Sequence, residues 1–523
     1  MNENTVNKLY DAKMTRRYEG KIKDGVLEIA EDPEVTNLQF LEKLDIFALN
    51  LCISNGMSVK LRSNTLQIIS VYTLRDQDAE QQQRLNWNIN DLELENLEVL
   101  NLRRNSLEND QLYNLAKFKK LHVLDVSFNK VDLTHIHNIS SLTNLNMQRS
   151  GLKNIDLISS LVNLVELDLS ENFREDTSSN DTDLSYLYVL NISFNTQLDF
   201  SPLCKLKSLT KLNMCQCGLT NIDKITSLVN LDQLDLSQNR DINLSSLYQV
   251  RSLTQLYMYQ CNLKNIDQIT QLINLEVLNI SDNSLLTINS IDQLVNLKKL
   301  YMSLNNNIDI TPLKSLVGLI TLNVNNCGLK QLTALKHLIN LQTLDISFNY
   351  DINISELQYL KNLKYLNLKN CKLVSIYVLS PLVNLEYLNL AENQIVYLDA
   401  NVHEMTNLKE FQFYCNLVSD LSSIEQHQNF NNIDENNNKC FNISDQNKYP
   451  SEEQLFNANK MRRVESPNIQ LKEIQIQHKA LQTALNNFEQ EVKATTSNAW
   501  QSQIQFTANV VRLFQQLNQV GFE

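Results

Sequence analysis

Leucine returns along this chain in a fixed frame, LxxLxLxxNxL, repeated without a break in the middle of the sequence. The frame begins at Leu97 and last begins at Leu408, giving fifteen coils. From Leu187 through Leu209, Leu231 and onward to Leu385, nine consecutive steps have the same length. No other feature restricts the fold so tightly. A chain that repeats its apolar pattern at this interval builds one short supersecondary unit many times, and each unit hides its apolar face only against its neighbours.

The frame dictates local structure. The LxL alternation, as in Leu234–Asp235–Leu236, predicts a short strand with one buried face. Successive strands lie side by side and parallel, and fifteen of them about 4.8 Å apart make a sheet roughly 70 Å long. The second half of each coil, such as 219–230, has apolar residues at irregular spacing, which predicts 3-10 turns or very short helices. Strands are narrower than those pieces, so the sheet should line the inside of a curved array. The ninth position holds Asn in ten coils, Ser150 in one, and Cys217, Cys261, Cys327 and Cys371 in the other four. Asn there can bond main-chain groups of its own and the adjacent coil, and a thiol is a small weak donor suited to the same buried column. These cysteines recur two or three coils apart, a poor spacing for a metal. Two coil types alternate, one reading LNMCQCGLTNID (212–223) and the other LDLSQNRDINLSSL (234–247). Gly (8) and Pro (6) are scarce in 523 residues, so Asn must carry much of the turn work.

The net charge of −13 and the lack of a basic stripe disfavour a nucleic-acid partner. The opening residues have no apolar signal core, and no apolar run is long enough to span a bilayer. A cytoplasmic protein with reduced thiols and no membrane partner is therefore expected. HExxH, GxxxxGK[ST], GxSxG, GxGxxG and CxxC are absent, and His135 with His137 lacks a third ligand. No catalytic residue, cofactor or metal is expected, and the chain is read as a non-enzyme.

The 22-residue coil, with segments such as NNNIDITPLKSLVGLITL (305–322) and LDFSPLCKLKSLTKL (198–212), resembles the short-repeat leucine-rich class over 97–418. That class includes the internalins and the leucine-rich regulator of type-one protein phosphatase. The Asn-rich style is also similar to large leucine-rich families of single-celled eukaryotes. The resemblance implies an α/β solenoid, a curved leucine-rich-repeat horseshoe that recognises protein through its concave sheet. It leaves the partner unnamed. Phosphatase regulation is an alternative that rests on repeat class alone.

The remaining chain divides into an N-terminal cap with degenerate coils (1–96), a cap or Asn-rich loop (419–450) and a C-terminal helical tail (451–523). In the first, GVLEIAED (25–32) could add an edge strand. In the tail, Leu471, Ile474, Leu481, Leu485, Phe488 and Val492 fall on a two-per-heptad seam, with His478 between them. A second seam out of register follows, so one kinked helix and a hairpin are both open. Self-association or a structural role through a coiled coil stands beside simple packing of the tail.

The partner surface is sought on the sheet. The fifth position, between the strand leucines, faces the concave side and is Asn or Asp in twelve coils. The exceptions include Tyr257 and Tyr301, two strands apart in one column. Tyr259, the pair Tyr365 and Tyr387, and the carboxylates Asp235 and Asp345 complete the candidate site. Exposed tyrosines are frequent binding anchors, but packing across neighbouring strands explains them at least as well. Phe128, Phe194 and Phe348 recur at the eighth position, where they either tuck under the turn or face a partner.

Overall fold

The structure, a computed structural model, describes residues 12–29, 38–53, 61–73, 91–152, 156–172, 186–196, 201–285, 287–395 and 405–416. The tail and its seam residues Leu471 to Val492 lie outside the described residues.

The LxL segments form three-residue strands, each paired in parallel with the next in unbroken register. Leu212, Leu234, Leu256 and Leu278 stand side by side, and so do Asn213, Asp235, Tyr257 and Asn279. The sheet has 18 strands. Fifteen come from the regular coils. Three earlier strands, Val26–Ile29, Ala48–Ile53 and Ile68–Thr73, continue the same parallel ladder into Val99–Asn101. A separate pair, Leu61–Ser63 with Leu92–Leu94, was not expected from the sequence. Among the described residues most coils return through a 3-10 turn of three to five residues, such as Thr311–Ser315 or Ser355–Tyr359, while the stretch between Gln255–Tyr257 and Val277–Asn279 has none. A 3-10 piece is wider than an extended strand, so the sheet lies on the inner, concave side. The frame leucines are sealed in one continuous core; Leu234, Leu256, Leu278 and Leu300 are all 0% exposed.

The ninth-position asparagines stitch the coils together. Asn349 Nδ2 donates to Val324 O of the preceding coil at 2.9 Å and to Ile346 O of its own turn at 2.8 Å. Its Oδ1 accepts from the N–H groups of Cys327 and Leu329 at 3.1 and 2.9 Å. One side chain thus satisfies four main-chain groups that the core would otherwise leave unpaired. Asn239 and Asn393 repeat the pattern.

A cysteine can do only half of this. Cys327 Sγ lies 3.1 Å from Met302 O, but a thiol offers the preceding coil no good acceptor. That coil answers with a different turn. In the coils before Cys261, Cys327 and Cys371, the eleventh residue (Asp241, Asn307 or Asp351) takes positive φ of 58–60°. Its N–H then bonds the cysteine's own carbonyl, at 3.0, 2.8 and 3.1 Å. The two alternating coil types are two ways of satisfying the same backbone, selected by the residue in the next coil.

Two further devices recur. The eighth residue of every regular coil, from Arg104 (φ 59°) through Phe348 (59°) to Cys415 (55°), is left-handed, and none is glycine. Left-handed backbone costs roughly 1–2 kcal/mol in a non-glycine residue. Here a cross-coil bond compensates: Phe128 N–H to Gln148 O, 2.7 Å, and Phe348 N–H to Lys369 O, 2.8 Å, are two of the series. On the outer edge, the residue before the frame leucine forms a second asparagine ladder. Asn274, Asn296, Asn340, Asn362 and Asn384 each donate to a carbonyl of the preceding coil at 2.9–3.0 Å.

Asn349→Ala should therefore lower stability by about 3 kcal/mol, because it strands buried N–H and C=O groups. Cys327→Ala should cost about 1 kcal/mol. Urea denaturation of the two variants checks the order; a costlier cysteine change would refute the ladder assignment. Burial also pushes the thiols of Cys217, Cys261 and Cys371 up to about 12 and that of Cys327 to about 11. At pH 8 all four should resist iodoacetamide in the native protein and react once it is unfolded.

Candidate functional site

The fifth position of each strand points away from the core, and its usual residue has a local task. Asp235 Oδ1 accepts from Ser237 N–H at 2.8 Å, Asn279 Oδ1 from Ser281 N–H at 3.0 Å, and Asn323 Oδ1 from Asn325 N–H at 3.0 Å. The Asn/Asp column is thus a run of side-chain caps closing the turn after each strand. This accounts for the composition of the column without any ligand. Asp345, like Asp168, is engaged three times: Ser347 N–H and Oγ–H donate to Oδ1 at 3.0 and 2.6 Å, and Asn367 Nδ2 to Oδ2 at 3.1 Å.

Tyr257 and Tyr301 interrupt the caps, since a phenol at that position cannot reach back to its own turn as a carboxamide does. In the Tyr257 coil, the N–H of Tyr259 turns to Ser237 Oγ of the preceding coil, 3.1 Å away. Tyr257 and Tyr301 flank Asn279 in one column, half-buried against the sheet. Burial raises the pKa of both phenols, and the closeness of Tyr301 adds to the rise at Tyr257. Tyr257 Oη–H reaches Gln255 Oε1 at 3.2 Å. Tyr259 stands at the seventh position, with Asp282 of the next coil near its hydroxyl. The three tyrosines therefore share one stretch of wall with Asp235, lined otherwise by Asn, Gln and Ser.

Tyr365 and Tyr387 behave differently. They occupy the third position of adjacent strands, and their rings stack with centroids 4.3 Å apart and planes 4° from parallel. Burial is the main cause of the upward shift in both pKa values. Tyr257 and Tyr301 are separated by a strand, so their rings stand apart.

The eighth-position phenylalanines do not tuck into the core. Phe194 is 43% exposed, and Phe128 and Phe348 are half-buried with cationic side chains over their rings. Near the last coil, Lys369 Nζ pairs with Glu392 at 2.9 Å and approaches Tyr414 Oη at 3.3 Å. The frame contained these groupings, because residues one coil apart in sequence become neighbours, but only the tyrosine pairs were singled out from it. Among the described residues no group of His, Cys, Asp and Glu could hold a metal, and no helix is long and apolar enough to cross a membrane.

No family model and no curated protein matches the chain. Solved structures do. A leucine-rich-repeat protein of Leptospira interrogans is 26% identical with a TM-score of 0.54, covering 64% of this chain and 89% of that one. The fold is a leucine-rich-repeat solenoid. TLR13, solved in complex with ssRNA13, matches at 20% identity and a TM-score of 0.50, covering 72% of both chains. The functional domain of the Listeria monocytogenes protein InlJ matches at 24% identity and a TM-score of 0.49, over 64% of this chain and 72% of that one.

Stacking of Tyr365 on Tyr387 should appear as a coupling of about 0.5–1.5 kcal/mol in a double-mutant cycle to alanine. The same cycle on Tyr257 and Tyr301 should give a coupling near zero. Equal couplings for the two pairs would contradict the difference in ring placement.

Proposed function

We propose that the chain is a non-catalytic scaffold that binds a partner protein on the concave face of its solenoid, with Tyr257, Tyr259 and Tyr301 as the anchors. One observation carries this reading. At Tyr257 and Tyr301 the side-chain cap made by the column's Asn and Asp residues is given up for a large amphipathic ring. A residue that breaks a local rule without a gain to the fold marks a site kept for another purpose. Tyr suits that purpose, because it offers contact area and a hydroxyl at low conformational cost. The surrounding Asn, Gln and Ser groups supply hydrogen bonds to a peptide backbone, and Asp235 a single negative charge. Asp345, Tyr365 and Tyr387 belong to the edge of this face, where packing already occupies much of each side chain. The coiled-coil alternative concerns residues outside those described, and no observation favours the phosphatase-regulator alternative, so neither displaces this reading.

Replacing both tyrosines by the column's usual residue separates structure from recognition. The Tyr257→Asn/Tyr301→Asn protein regains two caps and should be as stable as the unaltered chain or slightly more so, by about 0.5–1.5 kcal/mol per restored bond. Its capture of the partner protein, identified by affinity purification and mass spectrometry with the unaltered chain, should fall by tenfold or more, roughly the loss of a central anchor. Undiminished capture by the double variant would remove these tyrosines from the site.

A further inference from the structure

The three anchor tyrosines surround one shorter residue. Tyr257 and Tyr301 stand on either side of Asn279 in the fifth column. Two strand spacings separate their backbones, roughly 9.6 Å, and the carboxamide between them floors a recess. Tyr259 bounds a third side, with its hydroxyl near Asp282 of Asn279's own coil. Val277, two residues before Asn279 on the same face of its strand, bounds the fourth. Tyr257, Tyr259, Tyr301 and Val277 are all half-buried, so each keeps surface open to the concave side.

The charges around this recess have one dominant sign. In the third, fifth, seventh and eighth positions of the six coils from Gln233 to Phe348, Asp235, Asp282 and Asp345 stand against a single cation, Lys299. A carboxylate backs each of two walls: Asp235 adjoins Tyr257 in the column, and Asp282 meets the hydroxyl of Tyr259. Gln255 Oε1, 3.2 Å from Tyr257 Oη, adds an acceptor to the rim. A group entering midway between the Tyr257 and Tyr301 strands lies about 4.8 Å from each, within the roughly 6 Å over which an aromatic face attracts a cation. Among cationic side chains arginine suits this space. Its guanidinium is flat and weakly hydrated, stacks on aromatic faces, and keeps its N–H groups in plane for acceptors at the rim. A lysine ammonium is more strongly hydrated and has no flat face to offer.

We propose that the recess over Asn279 binds an arginine side chain of the partner protein, held between Tyr257 and Tyr301 in the field of Asp235 and Asp282. The inference rests on the scaffold reading and gives its partner a chemistry. Asp345 lies three strands beyond Asn279 in the same column, roughly 14 Å, a distance that four residues of an extended chain span. A second arginine four residues along the partner segment, on the same face of that segment, therefore meets this carboxylate.

Fluorescence anisotropy on the full chain tests this with labelled twelve-residue peptides of Gly, Ser and Asn that carry two arginines four residues apart. The arginine peptide should bind at least tenfold more tightly than one with glutamines in their place, and at least threefold more tightly than one with lysines; added salt should weaken it. Asp235→Asn/Asp282→Asn, which keeps both shapes and removes both charges, should lower its affinity about fivefold or more with an unchanged melting curve. Lys299→Gln, which removes the opposing cation, should raise it about two- to threefold. The proposal is overturned if the arginine and glutamine peptides bind alike, or if the lysine peptide binds as tightly as the arginine one. It is also overturned if the double Asp variant binds undiminished, or if Lys299→Gln fails to bind more tightly. Loss of partner capture by Tyr257→Asn/Tyr301→Asn without any preference for arginine peptides in the unaltered chain would leave the scaffold reading standing and refute this one. Undiminished capture by that variant would refute the scaffold reading, while the peptide titrations still decide the recess.

Discussion

The array depends on satisfying buried main chain where one coil passes to the next. Leucine burial supplies the driving force, but it is non-directional and would tolerate slippage between coils. The carboxamide at the ninth position does not tolerate it. It donates twice and accepts twice, to groups in two coils, and those bonds close only when the coils lie in register. Register in turn places Asn213, Asp235, Tyr257 and Asn279 in one row. The row of outward side chains is a consequence of the ladder, since aligned side chains exist only where the coils cannot shift.

Substituting cysteine into that ladder shows how local the compensation is. The thiol keeps the donor and forfeits the acceptor, and the preceding coil gains a left-handed residue whose N–H finds the cysteine carbonyl instead. A change at one position is thus answered one coil earlier, as Asp241 answers Cys261 and Asp351 answers Cys371. The alternation of the two coil types reflects these paired adjustments, and the strands stay in register although the turns between them differ.

Much of this was legible in the sequence because leucine periodicity reports burial directly. Strand positions, their outward fifth residue and the shared Asn/Cys column all follow from the repeating frame, and the same frame predicted that Tyr365 would adjoin Tyr387. What escaped has a common physical cause: it depends on main-chain conformation, which residue type reports poorly. The left-handed eighth position is occupied by Arg, Phe, Glu, Gln and Leu among others, so no glycine signals it. The outer asparagine ladder was visible as a recurring Asn before the frame leucine, as at Asn274 and Asn340, yet an exposed polar residue gives no apolar period to follow. The cap role of the fifth-position Asn and Asp was likewise hidden, because a surface carboxamide and a turn cap look alike in sequence. The coiled-coil seam from Leu471 lies outside the described residues, and its reading rests on spacing alone.

The left-handed position shows how a rigid repeat leaves room for specificity. In an isolated turn, a non-glycine residue with positive φ would be disfavoured, and selection would narrow it to Gly, Asn or Asp. Here the N–H of that residue is held by a carbonyl of the next coil, so the fold fixes the backbone whatever side chain it carries. Its side chain stays out of the leucine core and is not needed as a cap. Those two freedoms make it the least constrained column of the array, which is why Arg104, Phe128, Arg149 and Glu171 can follow one another with no loss of register. The fifth column is the opposite case: its side chains close turns, so a tyrosine there forgoes a bond. Side-chain variety that costs the fold little gathers in the eighth column, whereas Tyr257 and Tyr301 depart from the fifth column at the cost of a cap.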